Sequence, residues 1–239
     1  MSRVIMVTND DGIHSDGIIR LAREAVQYGS VWVIAPHDQR SASSHSITLD
    51  RPLEIRPIPF EVEGVRAFSC SGTPADCVRI GSKAVMSEPP DVVLAGINYG
   101  YNAATDIQYS ATACAAFEAS FLGYRGIALS EGASPVHEMT DAYLSKVLEE
   151  LIDEPPGPGM IWNVNFPGCP LSESRGIWWD RKASQEIVYE DYYDLIEQKP
   201  DGSILYRVRG VFQQKAEEGT DFHAILNRAV SVGKVSNIC

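Results

Sequence analysis

Two aspartates stand side by side at the end of the first apolar run, Val4-Ile5-Met6-Val7-Thr8-Asn9-Asp10-Asp11-Gly12. Adjacent carboxylates repel each other and are costly to desolvate unless a positive charge accompanies them. Magnesium and manganese take carboxylate, carbonyl, hydroxyl and water oxygens, so a hard divalent cation would meet that need. Asn, Asp and Gly also build ordinary solvated turns. The stretch by itself therefore supports a metal site or a turn. Neutral oxygen donors recur in two later loops, at Arg40-Ser41 and in Asn98-Tyr99-Gly100-Tyr101-Asn102. Ser110-Ala111-Thr112 opens a small-residue helix whose free N–H groups and hydroxyls suit a phosphate. The same three residues also read as the cap of a core helix.

The elements that must position these residues alternate. Residues 3–8 form a short buried strand. Residues 17–26 have the 3.6-residue spacing of an amphipathic helix, with Asp16 as its N-cap, and Val31–Pro36 is a second strand. This β-α-β order predicts parallel strands joined by a right-handed crossover. Leu53–Ile58 and Val65–Ser69 read as strands of a small sheet. Thr73 caps a helix that starts at Pro74 and runs to Met86, before Pro89-Pro90. Further strands are expected over 91–98, 126–130 and 161–166, and helices over 110–121 and 140–152. The fold class is α/β: a three-layer, Rossmann-like core with a mostly parallel sheet, plus a projecting β-hairpin and a C-terminal helix.

Residues 1–180 form the catalytic core in this reading. Residues 181–215 form the hairpin arm, with β-prone runs Ile187–Tyr189 and Ile204–Val208 around Pro200-Asp201-Gly202. Such an aromatic arm outside the alternating core suits a subunit contact, or folds back on its own domain. Residues 216–239 form a helical segment packing on the core or on a partner. Ligands of open parallel sheets bind beyond the carboxyl ends of the strands. Those ends carry Asp10, Asp11, Ser41 and Asn98, which can converge on one metal ion. Two anionic and two neutral ligands leave positions for water and a substrate phosphate.

Composition narrows the partners. There are 20 basic and 32 acidic residues, a formal net charge of −12, which argues against a nucleic-acid polymer as ligand. A phosphate substrate then needs a local cation. No apolar run approaches the roughly 20 residues of a membrane span, and the first residues lack a signal-peptide pattern. The five cysteines, Cys70, Cys77, Cys114, Cys169 and Cys239, include no CxxC. They read as scattered reduced thiols of a cytoplasmic protein. No GxGxxG follows the first strand and there is no P-loop, which counts against dinucleotide and NTP binding.

The motifs V-T-N-D-D-G (7–12), A-P-x-x-x-R-S-A (35–42) with H-S-I-T (45–48), S-G-T-P-A-D-C-V (71–78), G-x-N-x-G-x-N (96–102), D-I-x-Y-S-x-T (106–112) and N-x-N-F-P (163–167) together resemble the SurE-type survival proteins, metal-dependent nucleotidases. The resemblance covers most of residues 1–170. It implies one divalent metal ion per subunit, Mg2+ or Mn2+, held by Asp10, Asp11, Ser41 and Asn98. It implies hydrolysis of nucleoside 5′-monophosphates, with some members acting on 3′-nucleotides or short polyphosphate. It also implies a homodimer or homotetramer whose interface uses the hairpin and C-terminal segment. Asn9, Gly12, Asn102, Ser110 and Thr112 fall where substrate phosphate contacts are expected, and Asp10 or Asp11 is available to accept a proton from the attacking water. The chain departs from the family pattern at Ala103 and Ala111, where glycine is usual. A β-carbon there would crowd the phosphate or demand another backbone angle. His14, His37 and His45 lie in candidate loops, His45 nearest in sequence to Ser41. Asp76 reads as a helix-start charge and Glu118 as structural.

Overall fold

The computed structural model describes residues 3–237, so Cys239 lies outside the described residues. A nine-stranded sheet forms the centre. An inner strand, β1 (Val4–Thr8), is buried at all five positions. β2 (Ser30–Pro36) runs parallel to it on one side and β5 (Val92–Tyr99) parallel on the other. β6 (Arg125–Glu131) and β7 (Met160–Phe166) continue the parallel set beyond β5. Strand order thus reverses direction between β1 and β5, and the crevice at that switch point is where such sheets take ligands.

Alternation along the strands divides the core into two faces. Ile5, Val7, Val33 and Leu94 face one cluster, with Ile18 and Leu21 of helix α1 (Asp16–Ala25) and Val147 and Leu148 of α4 (Glu138–Leu151). Val4, Met6, Ile34 and Val93 face the other, with Cys77 and Val78 of α2 (Pro74–Ile80) and Phe117 of α3 (Ala111–Phe121). The result is helix, sheet, helix. Each large aliphatic side chain so buried stabilises the fold by roughly 1.5–3 kcal/mol. Two close approaches need glycine. A Cβ on Gly17 would stand 2.0 Å from the Ile97 carbonyl, and one on Gly126 would stand 2.3 Å from that of Ala116. The first lets α1 press on β5 beside Asn98.

Several boundaries differ from the sequence reading. Ser15, not Asp16, is the N-cap of α1, and Asp16 is its first helical residue. The strands read as a separate small sheet are the edge of the main one. β3 (Ile55–Ile58) runs antiparallel to β4 (Arg66–Cys70), which pairs parallel with β2. Phe68 stacks on Trp32 across that pairing, with ring centroids 6.0 Å apart, so aromatic packing joins them. The helix after Thr73 is α-helical to Ile80 and continues as a π-turn over Gly81–Val85.

At the C-terminus, the expected helix is α5 (Asp221–Leu226). The rest of that segment is not helical, because β11 (Val230–Ser236) enters the main sheet antiparallel to β7, with the two-residue β8 (Ile177–Trp178) on its far side. The hairpin is longer than its β-prone runs suggest. Among the described residues β9 (Tyr189–Gln198) and β10 (Ile204–Phe212) pair only with each other, and nearly every residue in them is exposed. Its root alone is packed. Val188 is fully buried with Ala104 and Phe222, and Phe212 lies against them.

Candidate active site

The carboxyl ends of β1, β2 and β5 bring Asp10, Ser41 and Asn98 to the wall of one cavity of about 630 Å³. Asn102 and Ser110 line it too. Asp11 borders an adjoining hollow together with Gln39 and Tyr99.

Asp10 is 4% exposed. Its Oδ1 accepts a hydrogen bond from Thr112 Oγ1 at 2.5 Å, and its carbonyl accepts from Arg40 N–H at 2.7 Å. Burial pushes its carboxyl up to about 6, opposed by the Thr112 bond and assisted by the charge of Asp11. Burial also raises Asp11, tempered by bonds from Tyr99 N–H (3.0 Å) and Gln39 Nε2 (3.1 Å). The same Gln39 nitrogen donates to Ser41 Oγ at 2.9 Å, so one amide spaces the second carboxylate from the hydroxyl. Among the described residues no lysine, arginine or histidine pairs with Asp10 or Asp11. A buried, unneutralised carboxylate beside a second one is an arrangement that a cation would relieve. Asn98 donates Nδ2 to the Gly100 carbonyl at 2.7 Å, which leaves its Oδ1 to act as a ligand. Two carboxylates, a hydroxyl and an amide oxygen fit magnesium or manganese.

The phosphate-side candidates separate into two groups. Ser110 caps α3, accepting from Ala113 N–H at 2.9 Å, and the N–H groups of Ala111 and Thr112 at that helix start have no intrahelical acceptor. Asn102 is gripped from β6 and β7. Its Nδ2 donates to Ser130 Oγ, its N–H to Asn165 Oδ1 and its carbonyl accepts from Asn163 and Asn165, all at 2.8–3.1 Å. Asn9, Gly12 and the Thr112 side chain lie behind the cavity wall instead. Asn9 spends its Nδ2 on the Gly12 carbonyl and Ser15 Oγ and keeps a buried Oδ1 without a partner. Gly12, at φ 95°, makes the turn. The Thr112 hydroxyl is committed to Asp10. These three shape the turn and orient Asp10.

Neither alanine is strained. Ala103 is extended at φ −131° and Ala111 is helical. The left-handed residue is Ala104, at φ 53°, whose N–H is held by Asp221 Oδ2 at 3.0 Å. His14 and His37 are exposed. His45 stands 3.0 Å from Glu118 Oε2, and Arg79 donates to Oε1 at 2.9 Å, so Glu118 joins the Ser41 loop and α2 to α3. Asp76 completes a capping box with Thr73 and also takes Thr48 from that loop. Gln39, Ser130, Asn163 and Asn165 were not among the expected site residues. The Asn-x-Asn alternation on one strand face was the available signal for the last two.

A sequence profile of the family described as Survival protein SurE matches residues 5–188. The chain is 39% identical over 239 residues to the 5′-nucleotidase SurE of Mesorhizobium japonicum, covering 95% of this chain and 91% of that protein. It is 34% identical to the 5′-nucleotidase SurE of Thermosipho melanesiensis, covering 97% and 91%. The crystal structure of the SurE protein from Aquifex aeolicus superposes with a TM-score of 0.82 at 33% identity, covering 98% of this chain and 93% of that one. An open α/β sheet with oxygen-bearing side chains gathered at its switch point defines the class, and the chain belongs to the SurE family.

Proposed function

We propose that this protein is a metal-dependent phosphatase that hydrolyses nucleoside 5′-monophosphates to nucleoside and phosphate. The carrying observation is the pair Asp10-Asp11, unneutralised by any described side chain, at a strand end beside Ser41, Asn98 and the start of α3. The names of the relatives supply the substrate class. One divalent ion per subunit, Mg2+ or Mn2+, would be held by Asp10, Ser41 and Asn98 of the cavity wall and by Asp11, which Gln39 links to Ser41. When bound it polarises phosphoryl oxygens and makes water a stronger acid. Ser110 and the first N–H groups of α3 take the phosphate and offset charge on its equatorial oxygens in the transition state. Asn102, fixed by Asn163 and Asn165, sets the opposite wall. Water attacks phosphorus in line as the bond to the 5′-oxygen breaks; Asp10 or Asp11 receives the water's proton, and the departing nucleoside oxygen takes one from solvent. Thr112 keeps Asp10 oriented while this happens.

The activity extends in this reading to 3′-nucleotides and short polyphosphate. The protein works in the cytoplasm as a homodimer or homotetramer, with the 181–215 arm as a subunit contact. Among the described residues no helix is long and apolar enough to cross a membrane. A panel of 5′- and 3′-nucleotides and short polyphosphate, run with each metal and with chelator, tests the proposal. Turnover that survives chelation, or none with any nucleoside monophosphate, overturns it.

A further inference from the structure

The cavity does not end at the phosphate. Its outer half is walled by the 3-10 turn Ala104–Gln108, by Tyr109, and by the hairpin root, including Tyr189, Asp191 and Val208. This part of the hairpin is held firmly. Tyr189 meets Phe212 edge-on at 5.4 Å, Phe212 meets Phe222 edge-on at 5.6 Å, and a Cβ on Gly210 would stand 3.3 Å from the Tyr189 ring. Phe222 in turn belongs to α5, next to Asp221, which holds the Ala104 N–H. The ring of Tyr189 is therefore tied to the loop that carries Asn102. Tyr109, the residue before the α3 cap, is 64% exposed, an unusual outlay of aromatic surface with no core to join.

Asp106 and Asp191 line the same outer half and close on one another enough that Asp191 adds to the effect of burial in raising Asp106. Among the described residues neither carboxylate makes an ion pair or accepts a side-chain hydrogen bond. Free acceptors facing a cavity suit a ligand rich in neutral donors. They also repel a phosphate, whereas the inner end offers it the first N–H groups of α3. At about 630 Å³ the cavity is within the roughly 300–1,000 Å³ of small-molecule sites.

We infer that the hairpin root and the turn at 104–109 form a nucleoside subsite, in which the base lies against Tyr109 and Tyr189 and the sugar hydroxyls donate to Asp106 and Asp191. The inference rests on the proposed nucleotidase reading and assigns the hairpin root to substrate selection. A base on an aromatic face recovers affinity that loss of one ring would reduce about tenfold.

The test uses the full chain and its Tyr109→Ala and Asp106→Ala variants. Each is assayed on a purine nucleoside 5′-monophosphate, its 2′-deoxy counterpart and glycerol 2-phosphate. Calorimetry measures binding of the nucleoside without phosphate. Tyr109→Ala should lower the kcat/KM preference for nucleotide over glycerol phosphate about tenfold, mainly through KM, and weaken nucleoside binding by the same factor. Asp106→Ala should erase any preference for the ribose over the deoxyribose form. Nucleoside binding unchanged in Tyr109→Ala, or equal losses on nucleotide and glycerol phosphate, overturns the subsite even if hydrolysis itself is robust. Wild-type protein that binds nucleoside through Tyr109 but hydrolyses no ester would retain the subsite and refute the nucleotidase.

Discussion

Asp10 and Asp191 face one cavity from two differently built regions. Asp10 sits at the end of a fully buried central strand, with Thr112 on its side chain and Arg40 on its carbonyl. Asp191 sits on an exposed two-stranded ribbon that, among the described residues, pairs with no other strand. At the strand ends, the sheet imposes a carboxylate where water would be easier, and pushes its pKa up to about 6. On the ribbon, no such cost is incurred. The contrast teaches where each region's specificity resides. The cradle is defined by groups the fold forces together. The arm is defined by what it leaves uncovered: Tyr193, Leu195, Tyr206 and Val208 are all more than half exposed, a patch that suits a second subunit.

Asp10→Asn breaks the cradle most directly. It should lower kcat/KM by roughly a thousandfold or more, about 4 kcal/mol of transition-state stabilisation. The same change should make the metal-free protein more stable at pH 7. Asp10 titrates near 6 in the folded chain against about 4 unfolded. Its folded-state advantage is therefore fully present below about pH 4 and lost as pH rises through 6. Thermal unfolding of metal-free protein should show wild type falling behind Asp10→Asn across pH 4–7, by at most about 3 kcal/mol. Parallel curves would mean that Asp10 is not a desolvated carboxylate.

Asn165→Leu probes the support beneath the cradle. The residue touches the site only through Asn102, so loss of its two bonds should cost about 10–100-fold in activity, mostly in KM if Asn102 positions the phosphate. Steady-state kinetics at saturating metal decide this. A variant within about twofold of wild type would show that Asn102 holds its place without β7.

Much of the cradle was legible because it depends on local patterns. Buried parallel strands are near-continuous apolar runs, and Val4–Thr8, Val31–Pro36 and Val92–Asn98 are such runs. The rule that ligands gather at strand ends then converged Asp10, Ser41 and Asn98. What escaped depends on distant pairing. β11 is the mate of β7, about seventy residues earlier, and its Ser-Val-Gly-Lys-Val alternation is short. Gln39 is an unremarkable loop amide until the fold sets Asp11 and Ser41 on either side of it. The first hairpin strand, Tyr-Glu-Asp-Tyr-Tyr-Asp-Leu-Ile-Glu-Gln, has no consistently apolar face. Strand periodicity reports burial, and this strand is not buried.

Tyr206→Lys with Leu195→Lys, a cross-strand pair in the hairpin, should test the arm without touching the cradle. If the uncovered face joins subunits, sedimentation velocity should show self-association weakened about tenfold or more, as expected for an aromatic anchor. An unchanged sedimentation coefficient removes the arm from the interface.

The Ser41 loop is intermediate between the two regions: partly exposed, yet pinned by His45 to Glu118 and by Thr48 to Asp76. The smallest effect is expected here. The Cys114 side chain and, next, the Glu118 carboxylate raise His45 to about 9. A histidine so raised adds stability that is complete below its unfolded value near 6.5 and lost as pH rises through 9. Melting temperature should therefore decline between pH 6.5 and 9.5 in wild type. In Glu118→Gln the decline should be shallower by about a degree or two, with the Cys114 contribution remaining. Because His45 is partly solvated, the difference should be modest and nearly independent of metal. An identical slope in both proteins would show that the loop is held by Thr48 and its backbone bonds, and would move it to the side of the cradle.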